Sequence, residues 1–277
     1  MKFLAPGLAL GLGVIVVGTT VATAQSRDAP IPHTVGQSVT PSFEGWYRNA
    51  DGTFSLSFGY MNRNFEGAVD LPVGASNFMR PGAADQGQPT HFIPRRQTGV
   101  FTITVPADFG DDQLTWTLVS GDETIGIPGH LRPEWEIDAL TEITSGNTPP
   151  KLRLASDGPT AQGPGGQTAE LEARATEPVE LHVWATDDGV KKRPSLRAPQ
   201  LGLVWSKYRG PGAVAFDEPS PALDSDGHAV TSATFDVPGE YVLRVLVWDD
   251  SGAQGTIMAG GFQCCWTNGF LEVTVSR

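Results

Sequence analysis

Residues 233–248 read ATFDVPGEYVLRVLVW, and this stretch decides the fold class. It holds two short runs rich in apolar and β-branched residues, 233–235 and 241–248, on either side of a Pro-Gly pair. Such runs are typical of strands, and proline and glycine end them in turns. The stretch therefore predicts two short strands separated by a turn.

The same pattern recurs in both halves of the chain. Similar runs lie at residues 53–60, 100–105, 114–119, 179–185, 201–205 and 270–275. No 3.6-residue periodicity separates them, so the βαβ architecture of a parallel sheet fits poorly. We predict an all-β chain: two immunoglobulin-like antiparallel β-sandwich domains in tandem after a signal peptide.

Composition excludes several classes of protein. The 277 residues are 39% hydrophobic and 18% charged, which is too apolar for a disordered chain. The 33 glycines and 22 prolines have no Gly-X-Y period, which excludes collagen. A net charge of −12 offers no basic surface, so we expect no nucleic-acid partner.

The first segment is typical of a secretory signal: Lys2, an apolar run, and Ala-Thr-Ala before Gln25. An uncleaved anchor is the alternative, but the run is shorter than the roughly 20 residues of a spanning helix. We expect export to the periplasm or the cell exterior, with no membrane span after cleavage. The predicted segments are a signal peptide (1–24), a flexible leader (25–42), a first sandwich (43–144), a proline linker (145–150) and a second sandwich (151–277).

A family resemblance lies in the second half. Residues 205–216 read WSKYRGPGAVAF, and with residues 233–245 they resemble immunoglobulin-like modules of the polycystic-kidney-disease (PKD) type. In that family a Trp strand precedes a Gly-Pro-Gly turn, and a Pro-Gly-x-Tyr corner opens the penultimate strand. The resemblance covers about residues 147–277 and implies a spacer or interaction module. Residues 251–268 depart from the pattern.

The first half resembles only uncharacterised exported bacterial proteins, through residues 44–54, EGWYRNADGTF. Its most ligand-like features are basic and aromatic residues in proline-punctuated loops. Arginine binds planar anions through paired hydrogen bonds, so a surface for a carboxylate-bearing or sugar ligand is one interpretation. The other is that the arginines pair with acids and the aromatics fill the core. The candidates are Trp46, Tyr47, Arg48, His91, Arg95, Arg96, His130, Arg132 and Trp135.

Catalytic motifs are absent from the sequence: it has no nucleophile elbow, HExxH helix, P-loop or dinucleotide fingerprint. His91 and His130 with Glu134 are candidates for acid–base work if the fold brings them together. The enzyme alternative is therefore a hydrolytic or carbohydrate-acting site in the first domain, near His91, Arg96, His130 and Trp135.

Calcium is the one cofactor that the sequence suggests. Asp224 and Asp226 begin a loop of the kind that gathers oxygen ligands around this ion. The loop lacks the distal glutamate of an EF-hand, and a solvated turn at a strand end explains it equally well. A calcium-stiffened adhesion module is accordingly a second alternative, and otherwise we expect no cofactor.

The two cysteines, Cys264 and Cys265, are sequence neighbours. In an oxidising compartment they can form a vicinal disulfide, which needs a distorted or cis peptide because neighbouring α-carbons lie closer than disulfides prefer. Free thiols on opposite faces of a strand, or a bridge to another chain, are the alternatives. Taken together, these features favour an exported, non-enzymatic binding or scaffolding protein whose partner is an envelope protein or a glycan.

Overall fold

The computed structural model describes residues 33–143, 145–190, 201–249 and 264–277. Within these ranges strands dominate, joined by turns and one 3-10 helix at Pro133–Trp135. No helix in the described ranges has the length and hydropathy that a membrane crossing requires. The first half contains β1 (Val39–Arg48), β2 (Phe54–Asn62), β3 (Val69–Asp70), β4 (Asn77–Arg80), β5 (His91–Phe92), β6 (Arg95–Val105), β7 (Leu114–Ser120) and β8 (Glu123–Gly129). The second contains β9 (Lys151–Arg153), β10 (Ala161–Gln162), β11 (Gln167–Arg174), β12 (Pro178–Thr186), β13 (Gly202–Arg209), β14 (Val214–Phe216), β15 (His228–Phe235), β16 (Gly239–Trp248) and β17 (Trp266–Ser276).

The first half is a sandwich of two antiparallel three-stranded sheets. One has the order β1-β2-β6 and the other β4-β7-β8, with β3 and β5 paired as a short ribbon. Aromatic rings fill the space between the sheets: the ring of Trp116 on β7 meets Phe58 on β2 at 6.2 Å and Phe101 on β6 at 5.0 Å. Both contacts are edge-to-face, so the positive edge of one ring meets the negative face of the other.

The second half has the strand order of an immunoglobulin-like sandwich. One sheet runs β10-β9-β12-β15-β14 and the other β11-β17-β16-β13, so the chain crosses between the two sheets several times, as it does in the Greek-key connections of this fold. Strand β11 pairs with β17 in parallel, and the other pairs are antiparallel. Trp205 on β13 is 2% exposed, and the Tyr241 hydroxyl donates to the Val237 carbonyl at 2.9 Å. A buried Trp and a tyrosine corner are hallmarks of this fold, so the all-β sandwich prediction is confirmed.

The described residues all belong to one compact unit. Each sandwich has its own hydrophobic cluster, yet Tyr208 on β13 of the second half is part of the first cluster. Its hydroxyl donates to the Gly87 carbonyl at 2.5 Å, and its carbonyl accepts the Thr90 amide at 3.1 Å. The two sandwiches are therefore joined by buried contacts as well as by the chain.

The expected proline linker, residues 145–150, packs against the second sandwich. Asn147, Pro149 and Pro150 are buried, and the Asn147 Nδ2 amide donates to Asp249 Oδ2 at 2.7 Å. The Thr267 hydroxyl also donates to the Pro150 carbonyl. This segment is thus held at several points, although the domain boundaries on either side of it stay a prediction.

The first strand begins earlier than the expected start of the first sandwich. We predicted a flexible leader over residues 25–42, but β1 begins at Val39, which is 1% exposed and donates its amide to the Ser120 hydroxyl at 2.9 Å. For residues 39–42 the leader prediction is wrong, because Val39 belongs to the first core. The predicted signal peptide, the start of the leader and residues 251–263 of the cysteine-containing loop lie outside the described residues.

Candidate functional site

Five of the nine candidate ligand residues lie together at one corner of the first sandwich, where β1, the end of β8 and the 3-10 helix meet. We call Trp46, Arg48, His130, Arg132 and Trp135 the corner cluster. The Trp46 indole Nε1 donates to the Arg132 carbonyl at 2.8 Å, and the Trp46 ring is 3% exposed. Trp46 is therefore a buried anchor that fixes the backbone carrying the other residues.

The exposed face of the corner cluster is Trp135. Its ring stacks on Phe43 with centroids 5.5 Å apart, and it keeps 42% of its surface exposed. Arg48 of the same cluster is exposed, and its Nε donates to Oε1 of Glu136, the residue after Trp135, at 3.0 Å. The Arg48 guanidinium also lies 5.3 Å from the ring of Trp46. The corner thus presents a positioned indole with a guanidinium nearby.

His130 is the titratable residue in the corner cluster with a resolved pKa shift. It is 8% exposed and lies edge-on to the rings of Phe43 at 5.0 Å and Trp135 at 5.7 Å. Burial, reinforced by the positive charge of Arg132, lowers the pKa of His130. The Arg132 amide donates to its Nδ1 at 3.4 Å, so the neutral ring serves as an acceptor within the fold.

Tyr47 is directed away from the corner cluster. It is 6% exposed and packs in a separate small cluster with Ile137 and Ala139. Burial raises the pKa of its hydroxyl, which remains protonated at neutral pH. In this structure Tyr47 is a packing residue.

The arginines of β6 have partners of their own. Arg96 donates from Nη2 to both carboxylate oxygens of Glu44, at 2.8 and 3.0 Å. Burial raises the pKa of Glu44, with Arg96 opposing that effect. The Arg95 guanidinium lies 5.6 Å from the ring of Phe65. The sequence left two interpretations of these arginines, ligand binding or pairing with acidic side chains. Arg96 fits the second, because it pairs with Glu44.

His91 lies in a third place, on the β3–β5 ribbon. Its Nδ1 is 2.8 Å from Asp70 Oδ1, and the Lys207 ammonium of the second sandwich is 3.4 Å from the same oxygen. Of the four residues in the enzyme alternative, contacts join His130 to Trp135, whereas His91 and Arg96 have unrelated partners. The described contacts therefore form no shared acid–base group from these four residues.

The calcium candidates lie in the tight turn before β15. Asp224 Oδ1 accepts the amides of Asp226 and His228, each at 2.9 Å. These two hydrogen bonds lower the pKa of Asp224, which is exposed. Among the described residues, no group of three or more His, Cys, Asp or Glu side chains is arranged to hold a metal ion. The carboxylate of Asp224 shapes the turn, and calcium binding here stays a prediction.

The two neighbouring cysteines, Cys264 and Cys265, are joined in a disulfide across a cis peptide. They are 2% and 0% exposed, and the Cys265 Sγ lies 3.5 Å from the Asn147 carbonyl. The pair is thus part of the interior beside the expected linker rather than an exposed contact surface.

Sequence reasoning missed the residues that seal the two sandwiches together. Asn268 on β17 is 0% exposed, and its Nδ2 donates to the carbonyls of Gly99 at 2.9 Å and Pro164 at 2.7 Å. The Trp266 indole also donates to the Gly99 carbonyl, at 3.3 Å. These partners are 104 to 169 residues apart in the chain, so no local pattern in the sequence marks them.

Comparison with known proteins gives no family for this chain. No protein-family model and no curated protein matches it. Solved structures give faint likenesses, three of which follow. The D0-D1 domain of intimin is 10% identical, covers 86% of this chain and 99% of its own, and has a TM-score of 0.25. The Yersinia pseudotuberculosis adhesin InvE is 10% identical, covers 87% and 61%, and scores 0.27.

The third likeness is to fibronectin(III)-like modules of Clostridium thermocellum CbhA. They are 11% identical, cover 86% of this chain and 94% of their own, and have a TM-score of 0.25. Scores this low carry no argument about this chain. The assignment of an immunoglobulin-like sandwich accordingly rests on the strand order, the buried Trp205 and the tyrosine corner.

Proposed function

We propose that this chain is an exported, non-enzymatic binding or scaffolding protein of the cell envelope, whose second sandwich is a module of the PKD type. Its partner would be an envelope protein or a glycan. In this role the joined sandwiches hold a recognition surface in a fixed position. The proposal combines the secretory signal of the sequence with the geometry of the corner cluster.

The single observation that carries the binding role is the position of Trp135. Its ring is stacked on Phe43 and 42% exposed, so little side-chain freedom is lost when a partner covers it. Aromatic and arginine side chains contribute most to recognition hot spots, and Arg132 and Arg48 are both exposed nearby. His130, the histidine of this surface, is buried and neutral, which suits packing better than proton transfer.

In-cell photocrosslinking tests this role. A photoreactive benzoyl-phenylalanine replaces Trp135 in one variant and Val237 in the other, because Val237 is a similarly exposed apolar residue of the second sandwich, at 39%. We expect crosslinked partners in the envelope fraction for the Trp135 variant and none for the Val237 variant. Equal crosslinking at the two positions, or none at Trp135, would contradict the proposed recognition surface.

The export of the protein and its lack of enzymatic activity are tested by experiments other than crosslinking. Mass spectrometry of the unreduced protein from the envelope fraction should show cleavage after Ala24. Retention of full-length chain in the cytoplasm would contradict export. Hydrolysis of glycan or peptide substrates that is lost in His91→Ala or His130→Ala would favour the enzyme alternative instead.

A further inference from the structure

A cleft of about 580 Å³ lies where the two sandwiches meet. The first sandwich contributes the β3–β5 ribbon to its lining, and the second contributes the edge strand β13 and the loop leading into β14. Ligand sites favour junctions of this kind and volumes of roughly 300–1,000 Å³. The cleft is open to solvent and is large enough to hold a small organic molecule.

Much of the cleft wall is apolar. Ile93 of the first sandwich and Val204, Val214 and Phe216 of the second line it, and all four are half-buried. A ligand that covers these side chains removes apolar surface from water, which favours binding. The wall therefore favours a ligand with an apolar body.

One end of the cleft carries charge. Asp70 Oδ1 lies 2.8 Å from His91 Nδ1 and 3.4 Å from Lys207 Nζ. The Lys207 side chain is 9% exposed, and in the described part of the chain Asp70 is its one carboxylate partner. An ammonium has three donors, and a long contact to one oxygen uses little of that capacity. Lys207 therefore has donor capacity left in a place with little access to water.

The side chains that β13 turns toward the cleft are those of Val204 and Ser206, which are half-buried, whereas Trp205 between them is 2% exposed and belongs to the second core. The largely buried charge at the cleft is therefore the Lys207 ammonium. A cation held in this way matches a ligand with an anionic group.

We propose that this cleft binds a small carboxylate-bearing molecule with an apolar body. The ligand carboxylate accepts from the Lys207 ammonium, and the apolar body lies along Val214 and Phe216. The Asp70 carboxylate competes with the ligand carboxylate for the Lys207 ammonium. The Asp70 side chain is 62% exposed, so water can solvate its carboxylate when the ligand displaces it from Lys207. This inference goes beyond the proposed function, because none of the corner-cluster residues lines the cleft.

Naphthylacetate and naphthylacetamide form a matched pair of probes, because they share the apolar body and differ in the charge of the head group. Titration calorimetry with the full mature protein should show saturable binding of the acid. Its affinity should exceed that of the amide by about tenfold, the effect of a charge-assisted hydrogen bond. Equal affinities, or no saturable binding of the acid, would overturn the proposal.

Two variants locate the binding in the cleft. Lys207→Gln should weaken naphthylacetate binding about tenfold, whereas Lys151→Gln, at an exposed lysine of β9, should leave it unchanged. Asp70→Asn should strengthen binding by about threefold because it removes the competing charge. Asp70 is exposed, so this variant is informative even if Lys207→Gln fails to fold.

Weaker binding in Asp70→Asn, or undiminished binding in folded Lys207→Gln, would refute the assignment. Export and crosslinking at Trp135 do not involve the cleft. Loss of those properties therefore contradicts the proposed function, whereas failure of naphthylacetate binding contradicts only the ligand class.

Discussion

The Arg244 guanidinium donates through Nε and Nη2 to a single atom, Oδ1 of Asn268, at 3.0 and 2.7 Å. Both residues are at most 5% exposed. Burial lowers the pKa of Arg244 to about 10, so the guanidinium is still charged at neutral pH. Because Asn268 also bonds to Gly99 and Pro164, this buried cation belongs to the contact between the two sandwiches.

Asn268→Ala should destabilise the protein by about 3 kcal/mol or more, because it leaves a buried cation without its acceptor and removes two donors to buried carbonyls. Urea unfolding measures the loss. The double variant Asn268→Ala with Arg244→Met should lose less than the sum of the single changes. Strict additivity would show that the two side chains do not stabilise each other.

Gly99→Ala should destabilise the protein by about 3 kcal/mol, since a β-carbon there would overlap the Trp266 indole in addition to the strain of a positive φ. Gly110→Ala is the matched control. Gly110 has the same φ of +54°, but its nearest neighbour would be the Asp108 carbonyl at 3.8 Å, so about 1 kcal/mol is expected. Thermal unfolding of both variants separates the overlap with Trp266 from the backbone strain that the two positions share. Equal losses of stability in the two variants would argue against close packing of Trp266 on Gly99.

Acidification should destabilise the fold through His130. Its pKa in the folded state is lowered, so below the ordinary value of about 6.5 the unfolded chain takes up the proton more readily. The contribution of the neutral His130 ring to the free energy of unfolding is fully present above that value. It is lost as the pH decreases toward and through the pKa of the folded state. Urea unfolding between pH 7.5 and 5.0 should show a steeper loss for the wild type than for His130→Gln. Parallel profiles would show that His130 titrates normally.

Tyr241→Phe should cost about 1 kcal/mol, the net contribution of a hydrogen bond, because it removes the contact to the Val237 carbonyl and keeps the ring against Phe235. Tyr241→Ala removes the ring as well and should cost about 3–5 kcal/mol. Chemical unfolding of both variants separates the contribution of the hydroxyl hydrogen bond from that of the packed ring. A Phe variant as unstable as the Ala variant would mean that the hydroxyl dominates.

Several strands were predictable because the pattern that marks a strand lies within a short run of neighbouring residues. Runs rich in apolar and β-branched residues on either side of a Pro-Gly pair marked β15 and β16, and the structure places both as strands of the second sandwich. The short strands β3, β4, β5, β9 and β10 were missed, since two to four residues hold too little pattern to recognise. The longer strands β1, β8 and β11 were missed as well.

The candidate site was predictable only in part. Aromatic and basic residues near residues 46–48 and 130–135 do meet, because β1 runs beside the segment that follows β8. His91 and Lys207 instead share the Asp70 carboxylate, and Asn268 meets Gly99, through contacts between halves. Composition and spacing within one half carry no information on contacts that form only when the two sandwiches pack.

The central claim is that the two sandwiches form one unit, and a distance measurement between them tests it directly. Spin labels at Asp122→Cys in the β7–β8 turn and Glu177→Cys before β12 are both at exposed positions, one on each sandwich. Double electron–electron resonance should give one narrow distance distribution, which broadens in the Asn268→Ala variant. A broad distribution in the otherwise unchanged protein would show that the sandwiches swing independently, and would contradict the account.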